Sequence, residues 1–388
     1  MQKMKFLDLF AGIGGFRIGM ESAGHECIGF CEIDKFARVS YKAIHDTKGE
    51  IELHDITTVS DDTIRGIGHV DVICGGFPCQ AFSIAGARRG FEDTRGTLFF
   101  EIARFASILK PRYLFLENVK GLLNHDRGNT FEVILSALDE LGYDVEWQVL
   151  NSKNFGVPQN RERVFIIGHL RGGSGRKVFP LSGDGAAITC EQPKINKVGN
   201  IRKKGKSQSG DVVSIDSLAP TLCSTTTQKD PLKVLIENEI KQFGVLQPNY
   251  NQSGVVYEID GISPTIRAYQ GGNLEPKIRV KEATKQGYQE AEIGDSVNLS
   301  HPNSKTRRGQ VGKKIANTLL TGESQGVVEP DFRIRKLTPR ECWRLQGFPD
   351  WAFDKAQEVN SNSQLYKQAG NSVTVNVISA IAQGLGGN

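Results

Sequence analysis

Short apolar runs alternate with amphipathic segments over about the first 170 residues, and this rhythm limits the fold more than any other feature. The apolar runs predict six strands: Lys5–Phe10, Glu26–Cys31, Val70–Cys74, Tyr113–Glu117, Asp144–Leu150 and Arg163–Gly168. Helical periodicity marks Thr97–Leu109, Thr130–Leu141, Thr338–Gln346 and Ser372–Leu385. Strands that alternate with helices predict an α/β fold with a doubly wound, mostly parallel, Rossmann-like sheet.

The alternation of apolar runs and amphipathic segments ends near Leu181, where Gly, Ser, Thr, Asn and Lys begin to dominate the composition. We therefore expect a smaller, β-rich second domain over residues 181–340. This segment carries 23 Lys and Arg against 17 Asp and Glu, although the whole chain of 388 residues has a net charge of only +4. The local excess of +6 indicates a polyanionic partner, and a solvated loop region explains the charge about equally well.

A sequence repeat lies inside the basic segment. Two copies begin with Gln-Ser-Gly at residues 208 and 252, and in both copies the interval from this glycine to a threonine, Thr221 or Thr265, is eleven residues. A looser third copy runs from Gly309 to Thr318 and Leu319. Repeated turn-strand units of a β-rich domain and a functional duplication explain this pattern equally well.

The seven cysteines are odd in number and include no C-x-x-C pair, which argues against a disulfide framework or a zinc ribbon. The longest apolar runs are too short or too interrupted to cross a bilayer, and Met1–Phe10 lacks a secretory apolar region. We therefore expect a cytoplasmic protein that does not enter a membrane.

A glycine-rich turn follows the first predicted strand, within residues 8–16. Glycines let the backbone approach a ligand, but this pattern differs from G-x-G-x-x-G and alone is also typical of a tight strand-helix turn. Glu32 lies twenty residues after Gly12, at the end of the second predicted strand, where a carboxylate can accept both hydroxyls of a ribose. Together the two features predict a cofactor that contains adenosine.

Cys79 lies in a loop beyond the carboxyl end of the strand Val70–Cys74, where open α/β sheets build their sites. A lone cysteine is usually a buried structural thiol. Here Glu117 ends the next strand, and Arg161 and Arg163 enter the last one, so a carboxyl group and two guanidinium groups approach the same edge. Each charged group alone would usually form a surface ion pair, and their combination favours a reactive thiol.

Six motifs, in order, resemble those of the bacterial and phage C5-cytosine DNA methyltransferases of the restriction-modification type. They are Phe10–Gly15, Pro78–Gln80, Glu117–Val119, Gln159–Arg163, Arg340–Cys342 and Gln368–Val373. One such match is weak, whereas six in sequence make coincidence implausible. The resemblance covers both ends of the chain and leaves mainly residues 181–330 unmatched. It implies methyl transfer from S-adenosylmethionine to C5 of cytosine in a specific short double-stranded DNA sequence.

The resemblance also implies the catalytic roles. Cys79 resembles the nucleophile that adds to C6 of cytosine as a thiolate. Glu117 resembles the residue that binds N3 and the exocyclic amine, which requires a protonated carboxyl group and hence burial. Arg163 resembles the residue that holds O2, and Arg161 is interpreted as a neighbouring structural or phosphate contact.

The implied cofactor is S-adenosylmethionine, with S-adenosylhomocysteine as its product and no metal. The implied cofactor residues are Phe10, Gly12, Gly14, Glu32, Ile33, Asp55, Ile56, Pro78, Leu98, Asn371, Ser372 and Val373. Two positions depart from the family pattern. Ile33 stands where many relatives carry a tryptophan, which weakens one stacking face, and Ala85 stands where some members have a serine that helps to fill the gap left by the extruded base.

The implied partner is double-stranded DNA, whose target nucleotide must be flipped out at a cost of about a few kcal/mol. Candidate DNA contacts are Gln80, Ser83, Arg95, Thr221, Thr265, Thr318, Arg307 and Arg308. We expect a monomer. The resemblance leaves open a cognate restriction endonuclease, the DNA sequence that is read, and whether one or several sequences are read.

The family comparison divides the chain into three parts. Residues 1–180 form the catalytic and cofactor-binding domain, completed by residues 366–388, residues 181–340 form the target-recognition domain, and residues 341–365 form a hinge region. RNA methylation is a second interpretation. The Pro78–Gln80 loop and the basic insertion favour DNA over RNA as the substrate. Loss of catalysis is disfavoured by the presence of Cys79, Glu117 and Arg163, and a nicotinamide dehydrogenase by the missing G-x-G-x-x-G.

Overall fold

The computed structural model describes the chain in several stretches. They are residues 3–78, 98–173, 177–181, 278–300, 306, 308–322, 325–330 and 333–385, with the backbone of four short strands between residues 197 and 257. Within these stretches, none of the helices has the length and apolarity that a bilayer span requires.

A seven-stranded sheet forms the centre of the molecule, in the order β3-β2-β1-β4-β5-β8-β6. The first eight strands are β1 (Lys5–Leu9), β2 (Glu26–Cys31), β3 (Ile51–Leu53), β4 (Val72–Gly76), β5 (Tyr113–Val119), β6 (Tyr143–Asn151), β7 (Gln159–Asn160) and β8 (Glu162–Leu170). Strands β1 to β5 pair in parallel, and β8 runs antiparallel to both β5 and β6. The predicted doubly wound, mostly parallel sheet is confirmed.

Helices cover both faces of this sheet. They are α1 (Gly15–Ser22), α2 (Lys35–Ile44), α3 (Asp61–Gly66), α4 (Leu98–Leu109), α5 (Asn129–Glu140), α6 (Pro339–Leu345), α7 (Asp350–Val359), α8 (Asn362–Asn371) and α9 (Val375–Ala382). Successive strand residues point to opposite faces, so Leu114 and Leu116 of β5 pack with α4 and α5, while Phe115 packs with α1 and α9. Strands β1, β2, β4, β5 and β8 are mostly buried on both faces, which explains their apolar runs, whereas the edge strand β6 alternates polar and apolar residues.

The chain returns to the sheet through its last four helices. Thr338 caps α6 with its side chain, and Glu341 bonds back to the Thr338 backbone, which completes a capping box. Trp343 of α6 and Phe353 of α7 are buried in a cluster that also contains Ile13 of the glycine-rich turn. Residues 341–365 are thus helical and packed on the first part of the chain, while the three-part division itself stays a prediction.

The remaining strands build a smaller region of mainly antiparallel pairs. They are β9 (Lys197–Asn200), β10 (Asp211–Val213), β11 (Gln242–Val245), β12 (Val255–Tyr257), β13 (Ile278–Lys281), β14 (Tyr288–Ala291), β15 (Ser296–Asn298), β16 (Val311–Gly312), β17 (Ala316–Asn317), β18 (Gln325–Val328) and β19 (Ile334–Lys336). Four of them form a sheet in the order β16-β15-β18-β19 over a small core that includes Val297 and Val328. The predicted β-rich region is confirmed.

We expect Gly14→Ala to destabilise the protein by about 2–4 kcal/mol, because it combines backbone strain with a steric clash. Gly14 has a φ of +86°, and a Cβ there would overlap the buried ring of His45. Gly24→Ala is the matched control, since Gly24 has a φ of +88° with nothing within 4 Å of its Cβ position. Urea unfolding without cofactor measures both, and equal losses would contradict the steric part of this account.

Candidate active site at the carboxyl edge of the sheet

The candidate residues from the first half of the chain meet at one edge of the sheet. Phe10 follows β1, Glu32 follows β2, and Asp55 follows β3 by two residues. Pro78 follows β4 by two residues, and Glu117 lies in the last part of β5. Parallel strands end on the same side, and the strand order reverses between β1 and β4, which is where open α/β sheets bind ligands.

The glycine-rich turn is held by its own backbone and by Glu32. Phe10 adopts a φ of +55°, which is uncommon for a residue with a side chain. The Gly14 N–H donates to the Ala11 carbonyl at 2.8 Å, and α1 starts directly afterwards at Gly15. A Cβ on Gly12 would meet no atom within 4 Å, so the turn is open on that side.

Glu32 connects the turn to the start of α2. Its Oε2 accepts the Gly12 N–H at 2.8 Å, and its Oε1 accepts the Asp34 N–H at 2.7 Å. Burial raises the pKa of Glu32, and the two backbone hydrogen bonds oppose this rise. Each carboxylate oxygen keeps a further lone pair, so Glu32 can accept additional hydroxyl donors.

The other cofactor candidates on this edge differ in exposure. Asp55 accepts the Thr57 N–H and hydroxyl, and these hydrogen bonds lower the pKa of Asp55. Ile56 is buried in the core, whereas Ile33 is 66% exposed. Leu98, half-buried, begins α4. Ile33 therefore offers the larger free apolar surface beside Glu32.

Glu117 and Arg163 form a buried ion pair at the ends of β5 and β8. Arg163 Nε lies 3.0 Å from Glu117 Oε1. The antiparallel register places Arg163 opposite Val119, two residues beyond Glu117. Burial raises the pKa of the Glu117 carboxyl, although the positive charges of Arg163 and Arg161 oppose that rise. The pair provides a carboxyl group that can hold a proton next to a guanidinium group.

Arg161 is buried behind this pair. Its Nη2 donates to the Ser372 carbonyl at 2.7 Å, while Nε and Nη1 have no hydrogen-bond partner among the described residues. Burial, together with the like charge of Arg163, lowers the pKa of Arg161 to about 9. Since Arg161 is only 3% exposed, its observed contact is structural and links β8 to the last motif.

The last described residues before Cys79 are held in place by β5. Asn118 Nδ2 donates to the Phe77 carbonyl at 2.9 Å, and Gly76 pairs in register with Glu117. Cys79, Gln80, Ser83 and Arg95 lie outside the described residues. The sequence interpretation missed the role of Asn118, although a polar residue at the end of an apolar strand is a signal for such a tether.

The last motif packs directly on the glycine-rich turn. A Cβ on Gly15 would lie 2.8 Å from Val373 Cγ2 and 2.9 Å from Ser372 Oγ, so only glycine fits there. Asn371 is exposed, whereas Ser372 and Val373 are buried. The structure thus brings together the first and the last of the six motifs.

The described recognition candidates, Thr318 and Arg308, make different contacts. Thr318 Oγ1 donates to the Asn160 carbonyl at 2.8 Å, which places the third repeat copy on the catalytic part of the chain. Arg308 is exposed, and its Nε donates to the Ala283 carbonyl at 3.0 Å. Thr221, Thr265 and Arg307 lie outside the described residues.

Comparison with known proteins connects this geometry to a family. A family model for C-5 cytosine-specific DNA methylase matches residues 4–387. The orphan methyltransferase M.SPRI of Bacillus phage SPR is 35% identical, over 98% of this chain and 97% of its own. The type II methyltransferase M.HpaII of Haemophilus parainfluenzae is 38% identical, over 98% of this chain and 88% of its own.

Solved structures agree at the level of the fold. The S. pombe Dnmt2 methyltransferase superposes with a TM-score of 0.51 at 17% identity and covers 97% of both chains. An E. coli DNA modification methyltransferase encoded within a prophage gives a TM-score of 0.50 at 20% identity, over 98% of both chains. Because the family model and the relatives span nearly the whole sequence, the chain belongs to the C-5 cytosine-specific DNA methylase family and is a DNA (cytosine-5-)-methyltransferase.

Proposed function

We propose that the protein methylates C5 of a cytosine that is flipped out of a specific short double-stranded DNA sequence, with Cys79 as the nucleophile. The observation that carries this proposal is the buried pair of Glu117 and Arg163, 3.0 Å apart. The tether from Asn118 to Phe77 holds the chain beside this pair two residues before Cys79. A carboxyl group, a guanidinium group and a thiol are the groups that activation of a cytosine ring requires.

The charges of Glu117 and Arg163 fit the successive steps of the proposed methyl transfer. Because burial raises the pKa of Glu117, its carboxyl group keeps a proton to higher pH than an exposed glutamate and can donate it to N3 of cytosine. Arg163 holds O2 of the base, and its positive charge favours the thiolate of Cys79. The Cys79 Sγ forms a bond to C6, and the electron pair of the C5–C6 double bond moves to C5, which takes the methyl group. Loss of the C5 proton and of the thiolate restores the double bond.

The residues around the glycine-rich turn fit S-adenosylmethionine, which supplies an electrophilic methyl group on its sulfonium when bound. Glu32 has lone pairs left for the ribose hydroxyls, and the side of the turn at Gly12 is open. Phe10 and the exposed Ile33 present apolar surface for the adenine. Further contacts are assigned to Gly14, Asp55, Ile56, Pro78, Leu98, Asn371, Ser372 and Val373.

The basic β-rich region is proposed to bind the DNA and to offset the cost of base flipping. Arg308 is an exposed cation of this region, whereas Lys313 is held by Asp295 at 2.8 Å and is a weaker candidate. The hydrogen bond between Thr318 and Asn160 supports a scaffold role for the third repeat copy. We therefore propose that the repeats serve one recognition sequence.

We expect Cys79→Ser to lower methyl transfer by about 10³-fold or more and to leave cofactor binding intact, because a hydroxyl is a far poorer nucleophile than a thiolate. Cys190→Ser, at a cysteine outside all six motifs, is the matched control. A duplex with 5-fluorocytosine should form a covalent adduct that survives denaturation with the wild-type protein and with Cys190→Ser, but not with Cys79→Ser. Substantial turnover by Cys79→Ser would overturn the assignment.

Glu117→Gln should lower the single-turnover rate by about 10²–10⁴-fold with little change in DNA affinity, because an amide cannot supply the N3 proton. The raised pKa keeps Glu117 protonated to higher pH than an exposed glutamate, so the part of the rate that depends on this proton falls as pH rises. The variant should lack this fall. Glu358→Gln, at an exposed position of α7, is the control. An equal loss of the single-turnover rate in this variant would refute the role of Glu117 as the proton donor.

DNA affinity should decrease steeply with salt, with a log-log slope of about −0.9 for each phosphate contact. We expect Arg308→Ala to make this slope shallower by about 0.9 if the exposed guanidinium contacts one phosphate. Arg65→Ala removes an exposed arginine of α3 and should leave the slope unchanged. Binding titrations at several salt concentrations measure both variants, and unchanged slopes for both would place the DNA surface away from Arg308.

A further inference from the structure

The end of the β-rich region is joined to the catalytic part of the chain by a short docking segment, residues 316–320. Its strand β17 pairs in parallel with β7, with Ala316 opposite Gln159 and Asn317 opposite Asn160. The Ala316 N–H also donates to the Pro158 carbonyl at 2.8 Å. The docking segment is therefore hydrogen-bonded to the two residues that precede Arg161.

The side chain of Gln159 holds this segment from inside the molecule. Gln159 is fully buried, and its Oε1 accepts the Leu319 N–H at 3.1 Å. Its Nε2 donates to the Leu345 carbonyl at 2.8 Å and approaches Gln346 Oε1 at 3.4 Å. One amide thus satisfies groups from the docking segment and from the end of α6, and its burial makes the loss of either partner unfavourable.

Gln346 continues the connection towards the active site. It is fully buried, and its Nε2 donates to the Ala369 carbonyl at 2.8 Å while its Oε1 accepts the Thr374 hydroxyl at 2.9 Å. Ser152 Oγ donates to the Thr374 hydroxyl oxygen, 2.8 Å away, and the Ser152 backbone N–H donates to the Arg161 carbonyl at 3.0 Å. The buried polar groups therefore form a continuous chain from the docking segment to Arg161.

Apolar packing fixes the same segment. Leu319 is buried in the cluster that contains Ile13 of the glycine-rich turn and Trp343 of α6. A Cβ on Gly370 would overlap the Leu320 carbonyl, so the docking segment passes directly over the last motif. The segment can move relative to the active site only if these contacts break.

We propose that Gln159 is a positioning residue that couples the β-rich region to the cytosine pocket. The Gln159 amide is hydrogen-bonded to the docking segment, so a shift of that segment moves Gln159. Arg161 and Arg163 follow Gln159 in the sequence by two and four residues. Correct DNA in the β-rich region then leaves Arg163 aligned with Glu117, and incorrect DNA shifts the docking segment and disturbs this alignment. This inference rests on the proposed function, because it assigns the pocket to the flipped cytosine.

The first test compares Gln159→Ala with the wild-type protein on two duplexes. The methylated sequence is first mapped by bisulfite sequencing, and the second duplex carries one base-pair change outside the target cytosine. We expect the single-turnover rate on the correct duplex to fall by about tenfold or more, as for a lost buried hydrogen bond, while the rate on the altered duplex stays the same. Discrimination between the duplexes should fall by the same factor.

Gln148→Ala is the matched control. Gln148 also bridges distant parts of the chain, since its Nε2 donates to the Leu181 carbonyl at 2.9 Å and its Oε1 accepts the Leu181 N–H at 2.8 Å. These bonds do not lead to Arg161, so its loss should leave discrimination unchanged. Gln346→Ala should resemble Gln159→Ala, and the double variant should lose no more than either single variant, because both belong to one connection.

Gln159→Glu distinguishes loss of the coupling from simple misfolding, because it keeps the size of the side chain and the oxygen that accepts the Leu319 N–H. A buried carboxyl group has a raised pKa, and its protonated form can still donate to the Leu345 carbonyl. Discrimination by this variant should therefore be close to that of the wild type at low pH and should be lost as pH rises. Dividing the discrimination of Gln159→Glu by that of the wild-type protein at each pH removes the pH dependence that the two proteins share.

The outcomes separate the two levels of the argument. A fall by equal factors on both duplexes in Gln159→Ala, or a pH-independent ratio in Gln159→Glu, would overturn the coupling role and leave the proposed function standing. If the wild-type protein formed no 5-methylcytosine in duplex DNA, the proposed function itself would fail. Selective loss on the correct duplex with pH-dependent rescue supports the coupling.

Discussion

The direct packing of α9 on α1 is the contact on which the rest of the active site depends. Gly15 and Gly19 face Val373 and Ile378 so closely that any side chain at the two glycines would overlap them. This approach brings the last motif of the sequence onto the first, and the Ser372 carbonyl is then in place to accept from Arg161. The glycine-rich turn and the Glu117–Arg163 pair are parts of one packed unit because two glycines leave room for it.

Buried charge is the main energetic cost of this arrangement. Glu117 and Arg161 are removed from water, and Glu117 Oε1, Arg161 Nε and Arg161 Nη1 make no well-directed hydrogen bond within the described part of the chain. Such groups are unfavourable in the folded protein and persist only where the surrounding packing holds them. The apolar clusters on both sheet faces provide that packing.

The β-rich region has a small core of its own and is nevertheless continuous with the catalytic part. Its attachment point is the pairing of β17 with β7, immediately before the two arginines of the pocket. Strand pairing and buried amide groups are directional, so they transmit a shift better than an apolar contact alone.

The sequence by itself determined the elements whose signal is local. The six predicted strands lie within two residues of the observed bounds, because the central strands are mostly apolar runs and the edge strand β6 alternates polar and apolar residues. The sequence also predicts that Glu117, Arg161 and Arg163 approach the same sheet edge as Cys79, because open α/β sheets build their sites beyond the carboxyl ends of their strands. Strand β3 is not among the predicted runs, because it is three residues long and contains Glu52.

Only the tertiary structure decided the contacts between residues far apart in the sequence. Gln159 reaches Leu319 across 160 residues and Leu345 across 186, and no periodicity near Gln159 distinguishes it from a surface glutamine. Thr318 carries the repeat signature of a recognition residue, yet its hydroxyl bonds to Asn160. Local patterns specify secondary structure and the edge where chemistry occurs, whereas the partner of a buried polar group depends on which segments the folded core brings together.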